Sequence, residues 1–479
     1  MKKVLFVTSE AVPFVKTGGL ADVAGSLPQY FDKSKYDVRI ILPKYVCMED
    51  ARKQQLRFHS RFYVQLSWRS QYVGVLETKV DGITYYFIDN EYYFAGDSPY
   101  HNIYEDVEKF AYFSKAVLDA LPVIDFRPDI LHCHDWQTGL IPVYLKNEYQ
   151  KNAFYQGIRT IFTIHNLQFQ GRWIMQAVKD ITGLPENLFV ADKLESYGEA
   201  NYLKGGVVYS DIITTVSKTY AYEITTPGGG EGLDGLMRAR QRDLYGIVNG
   251  LDYHVFNPQT DSLIACTYGK EDMVSGKREN KLLLQQQLGF EEDDGTMLIG
   301  MVGRMTNQKG IDLVESVLDE LLSSARIQIA VLGTGQTGLE NMFRHYAWKY
   351  EDKLSANICY SEELAHRIYA SCDAFLMPSL FEPCGLSQLM SMRYGTVPIV
   401  RETGGLKDTV EAYNRYDQTG TGFSFCNFNA REMLSALYYA MDIYYNHRKD
   451  WDAIALRGME QDFSWGRSAR EYEKIYDML

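Results

Sequence analysis

The chain has 479 residues and a mass of 55.0 kDa. One hydrophobic core stops growing at roughly 250 to 300 residues, so two domains are expected and a single small binding module is excluded. Apolar residues at 46% and charged residues at 23% give an ordinary globular mixture, and 49 basic against 62 acidic residues leave a net charge of -13, which argues against a nucleic-acid partner.

Met1-Lys2-Lys3 followed by Val4–Val7 has the basic start of an export signal, but Thr8-Ser9-Glu10 ends the apolar run too soon. A first buried strand is expected there. No later apolar run approaches the roughly 18 residues of a membrane helix, so neither export nor membrane insertion is expected. VLFVTSE, VRIILP, ILHCHDW, RTIFTIHN and IITTVS then recur as short β-branched runs, each followed by turn residues and an amphipathic stretch. That is the pattern of βα units feeding a parallel sheet. Turn-prone Gly246–Asp252 and Asn257-Pro258 mark a hinge, giving domains over 1–248 and 249–459. In the polar stretch 269–295, KLLLQQQLGF has helical spacing and ends in glycine, which predicts a connecting helix. MLIGMVGR, IQIAVLGTG, DAFLMPS and TVPIVRE repeat the βα pattern in the second half. Seven scattered cysteines (47, 133, 266, 359, 372, 384 and 426) form no CxxC, which suits a reducing compartment and a cytoplasmic location with no zinc framework.

Several turns carry chemistry-bearing residues. Thr17-Gly18-Gly19-Leu20-Ala21-Asp22 and Thr403-Gly404-Gly405-Leu406-Lys407-Asp408 each join a predicted strand to a predicted helix, so each half can aim a helix N-terminus at a ligand. A tight turn is the plainer reading of either copy alone; the pairing, with Lys16 before the first, favours function. In Gly303–Gly310, Arg304 and Lys309 bracket a turn ahead of the helix IDLVESVLDELL. Arg304 can fork onto phosphate oxygens and Lys309 adds a compact charge, a receptor for a pyrophosphate. Glu382, in PSLFEPCGL, follows a strand and can accept hydrogen bonds from sugar hydroxyls. His132-Cys133-His134-Asp135 and Thr163-Ile164-His165-Asn166 lie at strand ends. No third ligand accompanies the histidine pair, so hydrogen-bonded histidines are expected and a metal is not. Gly333-Thr334-Gly335-Gln336-Thr337-Gly338 matches GxGxxG, but no acidic residue ends the next strand, so a turn near a nucleotide without a redox role is expected. The tyrosines of 85–104 suit stacking on sugars, although packing on the core is the plainer reading for most.

Taken together, KTGGLADV at 16–23, HDW at 134–136, TIHN at 163–166, NGLD at 249–252, GRMTNQKG at 303–310 and PSLFEPCGL at 378–386 closely resemble the bacterial glycogen synthase and plant starch synthase family. The resemblance spans nearly the whole chain. It implies an α/β fold of two Rossmann-like domains facing a deep cleft, the glycosyltransferase type B architecture, with FSWGRSAREYEKIYDML in a helix (about 460–479) returning to the first domain. It also implies transfer of glucose from ADP-glucose to the nonreducing end of an α-1,4-glucan such as glycogen, with retained configuration, no cofactor and no divalent metal.

By the same resemblance His165, Arg304, Lys309 and Glu382 are the catalytic group, with the His165 backbone carbonyl near the anomeric centre and Glu382 against the glucose ring. Lys16, Gly18, Gly19, Asp22, Asp135, Asn166, Asn249, Tyr360, Cys384, Gly385, Leu386, Ser387 and Thr403 would line the donor and acceptor, with Tyr360 stacking on the adenine. No second carboxylate pairs clearly with Glu382, which favours a front-face substitution over a covalent intermediate. The chain departs from the family at Gln137, where histidine is common, at Phe256, where tryptophan is frequent, and in FAGDSPYHN, which bears on acceptor preference. An NAD-dependent oxidoreductase built on the GTGQTG turn and a noncatalytic glucan-binding protein are the alternatives.

Overall fold

Lys2–Val7 is a strand, β1, and its residues from Val4 onward are buried on both faces, as a central parallel strand requires. The computed structural model describes residues 1–479. The strands that follow are β2 (Tyr36–Pro43), β3 (Arg57–Leu66), β4 (Arg69–Val80), β5 (Ile83–Asp89), β6 (Ile130–His134), β7 (Arg159–Ile164), β8 (Arg172–Ile174), β9 (Glu195–Ser196), β10 (Glu199–Asn201), β11 (Ile212–Thr215) and β12 (Leu244–Gly246). Nine of them form a sheet in the order β12-β11-β7-β6-β1-β2-β5-β4-β3, and β8, β10 and β9 form a small antiparallel sheet. From β12 to β5 the large sheet is parallel.

The edge hairpin β3–β4 is antiparallel and was not among the expected βα units. Its physical cause is readable in retrospect: along Tyr63-Val64-Gln65-Leu66 exposed and buried residues alternate, the signature of a strand with one solvated face. Ser67, at φ 56, begins the tight turn between the two strands.

The second sheet comprises β13 (Met297–Val302), β14 (Ile327–Leu332), β15 (Leu354–Asn357), β16 (Ala374–Met377), β17 (Val397–Arg401) and β18 (Phe423–Phe425), in the order β15-β14-β13-β16-β17-β18. All of its pairs are parallel. The 269–295 segment forms a helix, Met273–Leu288, stopped by Gly289 at φ 78.

The chain divides into two compact units: Met1–Val216 with Ala221–Gly250 and Trp465–Leu479, and Ser217–Tyr220 with Leu251–Ser464. At the break after Gly250 a Cβ on that glycine would fall 2.5 Å from the Trp465 Cα, so the chain leaves the first unit there and finally re-enters it at one crowded point. The returning helix, Trp465–Asp477, buries Trp465, Ala469, Tyr472, Ile475 and Tyr476, a spacing that keeps one face inward. Aromatic side chains of this kind bury roughly 150 to 250 Å² each, or about 4 to 6 kcal/mol apiece before ordering entropy is subtracted. Polar contacts fix its register: Ser468 Oγ donates to the Val248 carbonyl at 2.7 Å, and Tyr36 donates to Asp477 at 2.7 Å. No helix of the structure is long and apolar enough to cross a membrane.

Each large sheet has one reversal of strand order. In the first, β1 is flanked by β2 on one side and β6 on the other; in the second, β13 is flanked by β14 and β16. Ligands of open α/β sheets gather outside the carboxyl ends of strands at such a reversal. Beyond β1 and β6 stand Glu10 and Asp135, and beyond β13 and β16 stand Arg304 and Glu382.

Candidate active site

In the first unit, the turn Lys16–Gly19 leads into the helix Gly19–Ser26 with Gly18 extended at its N-cap. A Cβ on Gly18 would meet nothing within 4 Å, so the free space above this turn is open to a ligand. Lys16 Nζ and Asp22 Oδ1 pair at 2.8 Å. The turn is held from below by Glu10, whose carboxylate accepts the Thr17 backbone N–H and, at 3.0 Å, the Thr17 hydroxyl. Tyr100 reaches the same carboxylate at 3.3 Å and Ser9 Oγ at 2.8 Å. Burial pushes the Glu10 carboxyl up, and the hydrogen bonds from Thr17 oppose that shift.

Asp135 follows β6 in a left-handed conformation, φ 56, which re-aims its carboxylate across the sheet end. Its Oδ1 accepts the His165 N–H at 2.7 Å, fixing the backbone where TIHN leaves β7. Burial raises Asp135 to about 7, opposed by the backbone N–H groups of His165 and Asn166. His134 Nδ1 and His165 Nε2 lie 3.0 Å apart. His132, deeper in, has both ring nitrogens occupied, by Tyr476 at 2.8 Å and Thr163 at 2.6 Å. Burial lowers His132 and His165 to about 3 and holds His134 well below the usual imidazole range, so all three are neutral imidazoles near pH 7. Asn249 is buried with its Oδ1 lacking a donor, and such an orphan acceptor fits a ligand-facing group.

In the second unit, β13 runs into Gly303 and Arg304, then a single turn Asn307–Lys309, and the helix Ile311–Ser324. Lys309 Nζ is 2.6 Å from Glu382 Oε2, and Ser379 donates to the same oxygen at 3.0 Å. Arg304 is exposed and makes no ion pair or side-chain hydrogen bond, leaving its fork free for an anion. Glu382 is 7% exposed. Its loop is pinned by Leu380 N–H donating to the Gln308 carbonyl at 2.8 Å and Gly405 N–H donating to the Glu382 carbonyl at 3.0 Å. Arg304, Lys309, Met377, Pro378 and Ser379 line one pocket at this strand reversal.

The second glycine-rich turn differs from the first. Gly404 has φ 46 and a Cβ there would fall 2.0 Å from the Glu382 carbonyl oxygen; at Gly405 it would fall 2.0 Å from that of Cys384. These glycines admit the Glu382–Cys384 backbone. Thr403 and Cys384 are buried beside them, Gly385 turns at φ 72, and Leu386 precedes the short helix Ser387–Arg393. Tyr360 stands apart beyond β15, 86% exposed.

The GTGQTG turn has a structural explanation. A Cβ on Gly333 would fall 1.9 Å from the Gly303 carbonyl oxygen and one on Gly335 2.1 Å from that of Met305. Met305 N–H donates to the Thr334 carbonyl and Gln336 N–H to that of Met305, both at 2.9 Å. Gly333 and Gly335 are therefore required for this turn to pack against the Gly303–Met305 backbone, which gives two of the three motif glycines a structural role that needs no dinucleotide.

Half of the six tyrosines of 85–104 are core residues: Tyr85, Tyr86 and Tyr93 are buried, Tyr100 is partly buried, and Tyr92 and Tyr104 are exposed. Only Tyr100 reaches the Glu10 cluster. Glu10, Tyr100, His134 and Ser379 were absent from the site expected of the sequence. Each lay near a sequence signal, Glu10 just past the first strand, Tyr100 in the tyrosine-rich stretch, His134 in HDW and Ser379 in PSLFEPCGL, but the tertiary contacts that bring them to the site are not encoded locally.

A family model described as the starch synthase catalytic domain matches residues 3–239, and one described as glycosyl transferases group 1 matches 284–457. A protein named glycogen synthase from Lachnospira eligens is 62% identical, and one from Lachnoclostridium phytofermentans 59%, each over the full length of both chains. Among solved structures, the catalytic domain of starch synthase IV from Arabidopsis thaliana, bound to ADP and acarbose, superposes with a TM-score of 0.91 at 32% identity, covering 100% of this chain and 99% of that one. With two α/β units of the glycosyltransferase type B fold, the chain belongs to the bacterial glycogen synthase and plant starch synthase family of glycosyltransferases.

Proposed function

We propose that the enzyme transfers glucose from ADP-glucose to the nonreducing end of an α-1,4-glucan with retained configuration, and that Arg304 and Lys309 hold the departing diphosphate. The observation that carries this reading is the placement of both cations on the turn after β13, with Lys309 joined to Glu382 at the reversal of strand order. Cleaving the bond from the anomeric carbon to phosphate puts negative charge on the diphosphate and positive character on the hexose. A free guanidinium and an ammonium answer the first; the Glu382 carboxylate answers the second. The starch synthase relative binds ADP, which supports an adenine nucleotide as donor here.

In the first unit, the open turn at Gly18-Gly19 with Lys16 and Asp22, the backbone at His165-Asn166 and the orphan acceptor of Asn249 would serve the hexose and the acceptor hydroxyl. Cys384, Gly385, Leu386, Ser387 and Thr403 would shape the donor pocket around Glu382, and Tyr360 would stack on the adenine. With one carboxylate on the hexose, the leaving phosphate would take the acceptor proton in a front-face substitution. Initial rates with ADP-glucose and UDP-glucose on a glycogen primer test the reading. Chain extension with ADP release, faster than with UDP-glucose, is expected; no extension with either donor refutes transfer, and a UDP-glucose preference refutes the donor.

A further inference from the structure

The imidazoles of His134, which ends β6, and His165, which follows β7, each have two nitrogens whose protons the contacts fix. His134 Nδ1 lies 3.0 Å from His165 Nε2, and the other nitrogen of His134, Nε2, is buried without a partner. His165 is only partly buried, and its Nδ1 makes no hydrogen bond within the chain and is not sealed from solvent. Both rings are neutral near pH 7, so each carries one proton.

Two arrangements keep the 3.0 Å contact a hydrogen bond. In the first, His134 donates from Nδ1, its buried Nε2 is a bare lone pair, and His165 carries its proton on Nδ1. In the second, His165 donates from Nε2, so His134 must carry its proton on Nε2, a buried N–H with no acceptor. Buried N–H groups without an acceptor are the rarer defect in folded proteins. The surroundings sharpen the difference. His134 is packed against the Phe6 ring at 5.2 Å and the His132 ring at 4.4 Å, and both nitrogens of His132 are already engaged. Neither ring has a free lone pair to receive an N–H.

We propose that His134 is a positioning residue that fixes His165 as the Nδ1–H tautomer, so that His165 presents a hydrogen-bond donor to a hydroxyl oxygen of the transferred hexose. The second half of this statement rests on the reading of His165 as a group that touches the sugar. The first half does not. His134 touches no substrate; it acts by holding one proton of its neighbour on the open side of the ring.

Nitrogen NMR of protein labelled in histidine with ¹⁵N, recorded without substrate, separates protonated from bare ring nitrogens and reads the tautomer directly. His165 should show a protonated Nδ1 and a bare Nε2, and His134 the same. A protonated Nε2 on His165 overturns the proposal whatever the activity, and if the parent shows the expected pattern but transfers no glucose, the functional reading fails while the tautomer stands. Two variants add a kinetic arm. In H134N the amide nitrogen takes the place of Nδ1 and can still donate; in H134Q it reaches the place of Nε2 and cannot. H134Q should lower kcat roughly 10- to 100-fold and change the His165 nitrogen shifts, and H134N should recover at least tenfold over H134Q with the parent's shifts. Equal losses in both variants, or native shifts and turnover in H134Q, overturn the proposal. Should a variant fail to fold, the parent spectrum alone decides.

Discussion

Replacing Lys309 by alanine removes two things at once, and the structure says how to separate them. The ammonium sits 2.6 Å from Glu382, whose side chain is 9% exposed and otherwise accepts one hydrogen bond, from Ser379 at 3.0 Å. K309A leaves that carboxylate without its cation, which costs about 1 to 3 kcal/mol of stability. It also removes a charge stabilised most when the diphosphate departs, which should lower kcat by about 100-fold or more, or about 2.7 kcal/mol of barrier. The double variant K309A/E382Q separates the two effects. Neutralising the stranded carboxylate should restore most of the lost stability, because no uncompensated charge remains, while turnover stays low. The assay is ADP release at saturating glycogen and ADP-glucose beside thermal unfolding of each variant. Turnover of K309A within about threefold of the parent would refute the role assigned to the lysine, and a double variant with no recovered stability would refute the account of the ion pair.

The remaining predictions are read by turnover, KM and thermal unfolding. R304A should lower turnover by at least tenfold with an unchanged Tm, since Arg304 makes no intramolecular ion pair; a falling Tm with normal turnover would make it structural. G335A should destabilise the chain by about 1 to 3 kcal/mol and raise the KM for ADP-glucose, because its Cβ would fall 2.1 Å from the Met305 carbonyl oxygen and displace the turn that carries Arg304; a parent-like Tm and KM would contradict that bracing role. D135N gives a signed pH effect. Burial lifts Asp135 from 3.8 to about 7, so between those values the native chain keeps a proton that the unfolded chain has lost, and this group's contribution to stability falls as pH rises. The slope is at most about 1.4 kcal/mol per pH unit. The Tm advantage of D135N over the parent should therefore widen from pH 4 to pH 7, and a constant difference would mean that the carboxylate is already ionised at the acid end.

Local pattern made much of the fold legible. Buried apolar runs such as Val4–Val7 and Met297–Met301 announce parallel strands because both their faces must be covered, and Gly289 and Gly310 punctuate helices where φ must be positive. The edge hairpin β3–β4 lies outside the expected βα units because clear one-sided alternation is confined to Tyr63–Leu66 at the end of β3. The two cations at Arg304 and Lys309 and the Glu382 loop were visible as residues on turns. The ion pair between Lys309 and Glu382, 73 residues apart, was not, because nothing local encodes which strand ends become neighbours. The same holds for the contact of Tyr100 with Glu10 and for Ser217–Tyr220, which belong to the second unit although they follow β11. The GxGxxG match shows the converse: a motif can be correct in sequence while two of its three glycines, Gly333 and Gly335, answer to neighbouring carbonyls.

The central claim is that cations on the turn after β13 neutralise a nucleotide diphosphate as it leaves a hexose. A crystal structure of the enzyme soaked with ADP tests it most directly. The account predicts Arg304 and Lys309 nitrogens within hydrogen-bonding distance of the phosphate oxygens; a bound diphosphate with both side chains remote from it would contradict the account.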